Sequence, residues 1–181
     1  GLVVEVSSGK CRVSLNEKTI LCHLRGNLKS AQSGYTSAVA VGDQVIISTD
    51  GENPGVVERV LPRRNILTRP SMTDKGQQRD LQQIIVANID RLLIVASWRE
   101  PNIWPELIDR YLITAQRNQI DPVICINKVD LVEEQAEFQA ITNVYRNLGY
   151  DLLLPSVVSG QGIDDLESLL QDGTTVLAGL S

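Results

Sequence analysis

Three polar residues, Asn127, Lys128 and Asp130, arrive together directly after the apolar run Val123–Ile126. The run reads as a buried strand. In an open α/β sheet, ligands bind at the carboxyl ends of strands, and that is where these side chains fall. The Asp130 carboxylate can accept two adjacent N–H donors in a charge-assisted bidentate pair. Asn127 can donate to a ligand acceptor and also tie neighbouring loops together. The aliphatic stem of Lys128 can lie along a flat ring while its ammonium stays in water. The plain alternative is a polar loop after a strand, since all three are common loop residues.

Asn-Lys-x-Asp in this setting resembles the guanine-specificity motif of GTPases. A guanine edge offers N1–H and an exocyclic amine side by side, which Asp130 would accept. Adenine would leave that carboxylate partly unpaired, and the cost of an unpaired polar group discriminates between the bases. A second stretch, Ser156-Val157-Val158-Ser159-Gly160-Gln161-Gly162, resembles the second guanine-contacting loop, usually Ser-Ala-Lys. Ser156 and Val157 would supply the second base contact, with Val157 in place of the usual alanine and Val158 in place of the frequent lysine. A glycine-rich helix entry is the alternative there. The final run, Thr174-Thr175-Val176-Leu177-Ala178-Gly179-Leu180-Ser181, reads as a buried strand ending in glycine, the way a phosphate-binding P-loop begins. Gly179, Leu180 and Ser181 would open the pattern Gly-x-x-x-x-Gly-Lys-Ser/Thr. Its lysine, its magnesium-binding hydroxyl and most of its amide nest are expected beyond Ser181.

The elements that position these loops follow from periodicity. From Leu81 the pattern alternates strands with helices. Strands are expected at Ile89–Ala96, Val123–Ile126, Asp151–Pro155 and Thr174–Ala178, and helices from Pro105, over Glu133–Leu148 and over Ile163–Leu170. Proline suits the first turn of a helix, and Gly149 suits the position just past a helix end. The first helix should bury Leu107, Ile108, Tyr111, Leu112 and Ala115. The second should bury Phe138, Ile141, Val144, Tyr145 and Leu148. Such β-α-β wiring implies a parallel sheet with right-handed crossovers.

The chain before residue 61 reads differently. Short strands are expected at Leu2–Val6, Cys11–Leu15, Thr19–Leu24, Gln44–Ser48 and Val56–Val60, with turns between them. About five short strands suggest a small closed barrel, because closure removes exposed edges. The OB-fold leads. Tyr35 is the only aromatic residue of this part, so recognition of RNA backbone and shape fits better than base stacking. A scaffold barrel with no ligand is the alternative. Residues 61–80 read as a basic connector carrying Arg63, Arg64, Arg69 and Lys75, which are candidate RNA phosphate contacts or a solvated linker. The expected organisation is therefore barrel at 1–60, connector at 61–80, and α/β domain at 81–181.

Composition bounds the classes. The 181 residues are 43% hydrophobic and 4% aromatic, with net charge −5. Residues 1–80 carry 11 Lys/Arg against 8 Asp/Glu, and residues 81–181 carry 6 against 14. That asymmetry suggests two modules with different partners. No apolar run approaches membrane-spanning length, and Gly1-Leu2-Val3-Val4-Glu5 lacks the features of a signal peptide. Cys11, Cys22 and Cys125 are unclustered, which argues for reduced thiols in a cytoplasmic compartment. Cys22 and His23 are adjacent in a strand and so point to opposite faces, which argues against a metal there.

The combination resembles one family. The guanine motif precedes the P-loop-like strand, the reverse of the ordinary order, and a barrel precedes both. This resembles the circularly permuted GTPases of small ribosomal subunit biogenesis (RsgA/YjeQ type). Further matching stretches are Val41-Gly42-Asp43, Arg64-x-x-Leu67-x-Arg69, Ala87-Asn88-Ile89-Asp90 and Ile108-Asp109-Arg110-Tyr111-Leu112. The resemblance implies β + α/β architecture: a five-stranded OB-type barrel followed by part of a permuted P-loop GTPase domain, its guanine-binding half. It implies GTP/GDP and Mg²⁺, hydrolysis of GTP stimulated by the small subunit, and rRNA bound through the barrel. It implies zinc in a further domain for which this chain has no ligands. No DNA or membrane partner is expected, and no catalytic residue can be carried over. The 181 residues alone are expected to be inactive. Two alternatives stay open. One is a non-catalytic RNA-binding module with a degenerate α/β partner. The other is an assembly factor that binds protein through the Trp98–Trp104 loop, whose tryptophans could equally pack against the helix from Pro105.

Overall fold

The computed structural model describes residues 1–26, 28, 35–50, 54–70 and 82–179. The chain divides into two compact units between Ile89 and Asp90.

In the first unit, alternating apolar residues build β1 (Leu2–Ser7), β2 (Lys10–Leu15), β3 (Lys18–Leu24), β4 (Val45–Ser48) and β5 (Gly55–Val60). Their order in the sheet is β1-β2-β3-β5-β4. Only β3 and β5 run parallel; the other pairs are antiparallel. The two outer strands are also joined. Gly1 and Val45 exchange backbone hydrogen bonds of 2.8 Å in both directions. Val3 N–H donates to Asp43 O and Gly42 N–H to Val3 O, each at 2.9 Å. Neither outer strand is left as a bare template for pairing there. Alternation sends Val3, Cys11, Val13, Cys22, Val45 and Val57 into one core, with Cys22 inward and His23 outward.

Two strands were not expected. Ile66–Pro70 forms β6 within the stretch read as a connector, and Gln82–Ala87 forms β7. They pair antiparallel, Ile66 opposite Ala87 and Leu67 opposite Val86. The prolines and arginines around this segment read as breakers, yet Pro70 closes the strand, a position proline tolerates. This hairpin belongs to the first unit, which therefore runs past both expected boundaries, 60 and 80, to Ile89. Its attachment explains several of the matched motifs. Gly42 has φ +86°, and a Cβ there would lie 2.0 Å from Ala87 O. Only glycine allows that approach, which lets Ala87 N–H reach Val41 O at 2.8 Å. The Asn88 side-chain amide then donates to Gly42 O at 2.9 Å. Asn65 pairs with the Ile89 backbone in both directions, each bond 2.8 Å.

The second unit alternates strands and helices: β8 (Arg91–Ser97), α1 (Pro105–Arg117), β9 (Asp121–Asn127), α2 (Gln135–Asn147), β10 (Asp151–Leu153), α3 (Ile163–Leu170) and β11 (Thr175–Gly179). The sheet order is β10-β9-β8-β11, and every pair is parallel. Leu92, Leu93, Ile94, Val123, Ile124, Cys125 and Ile126 are buried at its centre. In α1, Ile108, Leu112 and Ala115 are buried as the spacing required, while Leu107 and Tyr111 stay partly exposed. In α2 the expected stripe needs correction. Phe138, Thr142 and Tyr145 are buried, but Val144 is 55% and Leu148 66% exposed. Thr142 takes the inward position because its hydroxyl donates to Phe138 O at 2.9 Å and so brings no unpaired group into the core. Gly149 follows the helix with φ +84°.

Candidate guanine-reading site

The site is built where two neighbouring strands end. Ser97 of β8 lies opposite Asn127 of β9, and Trp98 N–H donates to Asn127 O at 2.9 Å. The Asn127 side-chain oxygen accepts from Lys128 N–H at 2.7 Å. Lys128 then adopts left-handed φ 62° and ψ 40°, which turns the chain into a single 3₁₀ turn, Val129–Leu131. Asp130 sits in that turn, exposed to solvent. The Lys128 ammonium donates to the carbonyl of Glu100.

The loop after β10 comes to meet this turn. Ser156 is fully buried, and its Oγ donates to Asp130 Oδ1. The same Oγ accepts from Ser159 N–H at 3.1 Å. Ser156 N–H donates to Gln161 O and Gly160 N–H to Ser156 O, each at 2.9 Å. Two stretches 26 residues apart in the chain thus form one structure. A carboxylate has about four acceptor sites, and Ser156 takes one of them, orienting the group without exhausting it. Val157, beside Ser156, is 75% exposed.

Gly179 ends β11 opposite Val95 of β8. A Cβ at Gly179 would lie 2.2 Å from Val95 O, so strand packing by itself requires glycine here. A cavity of about 50 Å³ opens beside it, lined among others by Val95, Ser97, Asn102, Trp104 and Tyr111. Leu180 and Ser181 lie outside the described residues.

The four basic residues expected as phosphate contacts are not equivalent. Arg63 is committed elsewhere. Its Nε donates to Asp43 Oδ1 at 2.6 Å and its Nη2 to Asp43 Oδ2 at 2.7 Å. Nη2 also reaches Ala38 O at 3.2 Å. The Asp43 side chain is 0% and the Arg63 side chain 11% exposed. Arg63 therefore closes a buried fork-to-fork pair rather than presenting charge to solvent, which corrects the expectation for this residue. Arg64 is exposed, with its Nη2 donating to Asn88 O at 3.2 Å. Arg69 lies in β6 opposite Gln83, and Lys75 is outside the described residues.

The Trp98–Trp104 loop also divides. Trp98 is fully buried. Its ring meets Phe138 of α2 edge-on, centroids 4.9 Å apart at 86°, so it packs against α2. Trp104, just before α1, is 43% exposed. Burial pushes the thiols of Cys11 and Cys125 up to about 11, with Cys22 and Asp43 adding to the effect at Cys11. Burial and then Asp109 push the Tyr145 phenol up; its hydroxyl donates to Asp109 Oδ1 at 3.2 Å. None of these groups lies in the loops at Asn127 and Ser156. Sequence reasoning missed the carbonyl of Glu100, a backbone group that carries no residue-type signal.

A sequence model of the RsgA GTPase family matches residues 60–181. The chain is 40% identical over its whole length to the small ribosomal subunit biogenesis GTPase RsgA of Pseudomonas aeruginosa, spanning 48% of that protein. It is 34% identical over its whole length to RsgA of Bacillus cereus, spanning 56% of that protein. The chain thus spans about half the length of these curated relatives. Among solved structures it resembles YjeQ from Thermotoga maritima, with TM-score 0.78 and 31% identity, covering 100% of this chain and 60% of that one. It also resembles YloQ, a circularly permuted GTPase, with TM-score 0.77 and 31% identity, covering 100% of this chain and 59% of that one.

Proposed function

Because the chain belongs to the RsgA GTPase family, we propose that its second unit reads the guanine of GTP and GDP in a protein that hydrolyses GTP during late assembly of the small ribosomal subunit. The observation that carries this reading is the bond from buried Ser156 to Asp130. It joins the two base-reading loops at the carboxyl end of a parallel sheet, where nucleotides bind in such folds. In this reading Asp130 accepts the guanine N1–H and amine, Asn127 and Lys128 hold the base, and Ser156 and Val157 frame it. β11 leads through Gly179, Leu180 and Ser181 into the phosphate loop. No residue of this chain is assigned to magnesium, to zinc or to the chemical step.

The first unit serves as an OB-type barrel that docks on rRNA. Its strand order, its single parallel pair and its joined outer strands support the barrel. Arg64, Arg69 and Lys75 are the candidate RNA contacts. The proposed setting is the cytoplasm, with no membrane partner; no helix among the described residues is long and apolar enough to cross a membrane.

The test is calorimetric titration of the full-length protein with GDP and ADP, followed by GTP turnover with and without small ribosomal subunits. The expected result is GDP favoured over ADP by about 100-fold or more, with turnover raised by the subunit. Equal affinity for both nucleotides overturns the reading. Salt-sensitive RNA binding indifferent to GDP would favour the non-catalytic RNA-binding module instead.

A further inference from the structure

One side chain outside both guanine loops is built into the position of Lys128. The Lys128 ammonium is held by the carbonyl of Glu100, so the course of its stem depends on where residue 100 is fixed. Glu100 and Lys128 both have left-handed backbone conformations, with φ 55° and φ 62°. Such conformations persist only where surrounding contacts impose them. The residue before Glu100 is itself anchored on both sides. The Arg99 guanidinium lies 4.4 Å from the centroid of the buried Trp98 ring. Its Nη1 donates to Trp98 O at 3.2 Å, and its Nη2 donates to Glu137 Oε2 of α2 at 2.6 Å. Trp98 in turn is tied to the guanine motif through its N–H to Asn127 O.

We infer that Arg99, anchored by Glu137 and stacked on Trp98, is a positioning residue that fixes the Glu100 carbonyl and through it the Lys128 stem against the guanine face. The inference rests on the guanine reading above. Arg99 touches no nucleotide; its action runs through Lys128. A flat cation with a planar fork suits this task, because it can stack on an indole and bond a carboxylate at once.

The experiment is a double-mutant cycle read by fluorescently labelled GDP binding to the full-length protein. The variants are Arg99→Met, Lys128→Ala and their combination, with melting temperatures recorded for each. Arg99→Met is expected to weaken GDP binding about three- to tenfold when Lys128 is present and to change it little in the Lys128→Ala background, the signature of coupled neighbours. Arg99→Lys is expected to restore only part of the loss. An equal loss in both backgrounds would show a merely structural role and overturn the inference. So would unchanged affinity in a folded Arg99→Met protein. Glu137→Ala removes the other end of the pair and answers the same question should Arg99→Met fail to fold. A Lys128→Ala protein that binds GDP normally overturns this inference and leaves the guanine reading at Asp130 standing, whereas a wild type that binds no GDP overturns both.

Discussion

Replacing Arg63 with methionine separates a structural from a nucleic-acid role most sharply. The substitution keeps an aliphatic stem but removes the guanidinium that donates to both oxygens of Asp43. Asp43 stays buried with the Ala40 N–H bond at 2.8 Å. Breaking a buried pair by removing one partner costs about 3–5 kcal/mol, because a charge is left without compensation. With the carboxylate fully buried and Arg63 nearly so, solvent screening relieves little of that. Against an ordinary domain stability of about 5–15 kcal/mol, that loss is about a fifth or more. Both tryptophans, Trp98 and Trp104, lie in the other unit, so circular dichroism should report the unfolding. With a urea m-value of about 1–3 kcal/mol per M, the midpoint should fall by roughly 2 M. A fall of less than about 0.5 M, or lost RNA affinity at unchanged stability, would refute the reasoning and return Arg63 to the RNA-facing set.

Three other outcomes are expected. Ser156→Ala removes the donor to Asp130 and the acceptor for Ser159 N–H. It should lower stability by about 1–2 kcal/mol in urea melts and weaken GDP binding in the same titrations. Stability should fall as pH rises from about 9 to about 11. The Cys11 and Cys125 thiols titrate at about 11 in the fold against 9.0 in the open chain, so the unfolded state loses its protons first. Alkaline urea melts of a Cys11→Ser, Cys125→Ser variant should show a shallower fall. Residues 1–181 by themselves should give no saturable, magnesium-dependent GTP turnover, because the lysine and hydroxyl of the phosphate pattern are not among them; phosphate-release assays would detect any.

Local patterns made most elements legible. Alternation marked the five strands of the first sheet. The 3.6-residue spacing of Ile108, Leu112 and Ala115 marked α1. What failed was legible only in three dimensions. Ile66 and Leu67 read as connector because Pro62 and Pro70 bracket them, and their partners lie about twenty residues away at Val86 and Ala87. Thr142 gives no apolar signal, although a hydroxyl that bonds its own helix can be buried. Arg63 looked like a surface charge because nothing in a sequence says which of several arginines will find a buried aspartate. At the site, Asn127, Lys128, Asp130 and Ser156 could be named from residue type and order. The bond between Ser156 and Asp130 and the hold of Glu100 on Lys128 could not, since both depend on how separate loops converge.

Whether Asp130 reads guanine is decided by Asp130→Asn, measured by titration of the full-length protein with GDP and with xanthosine diphosphate. The amide can still accept from Ser156, so the loops should keep their arrangement. It offers donors where the carboxylate offered only acceptors, which suits xanthine, whose carbonyl replaces the guanine amine. GDP affinity should drop by about 100-fold or more while xanthosine diphosphate becomes the better ligand. Unchanged GDP affinity in a folded Asp130→Asn protein would contradict it.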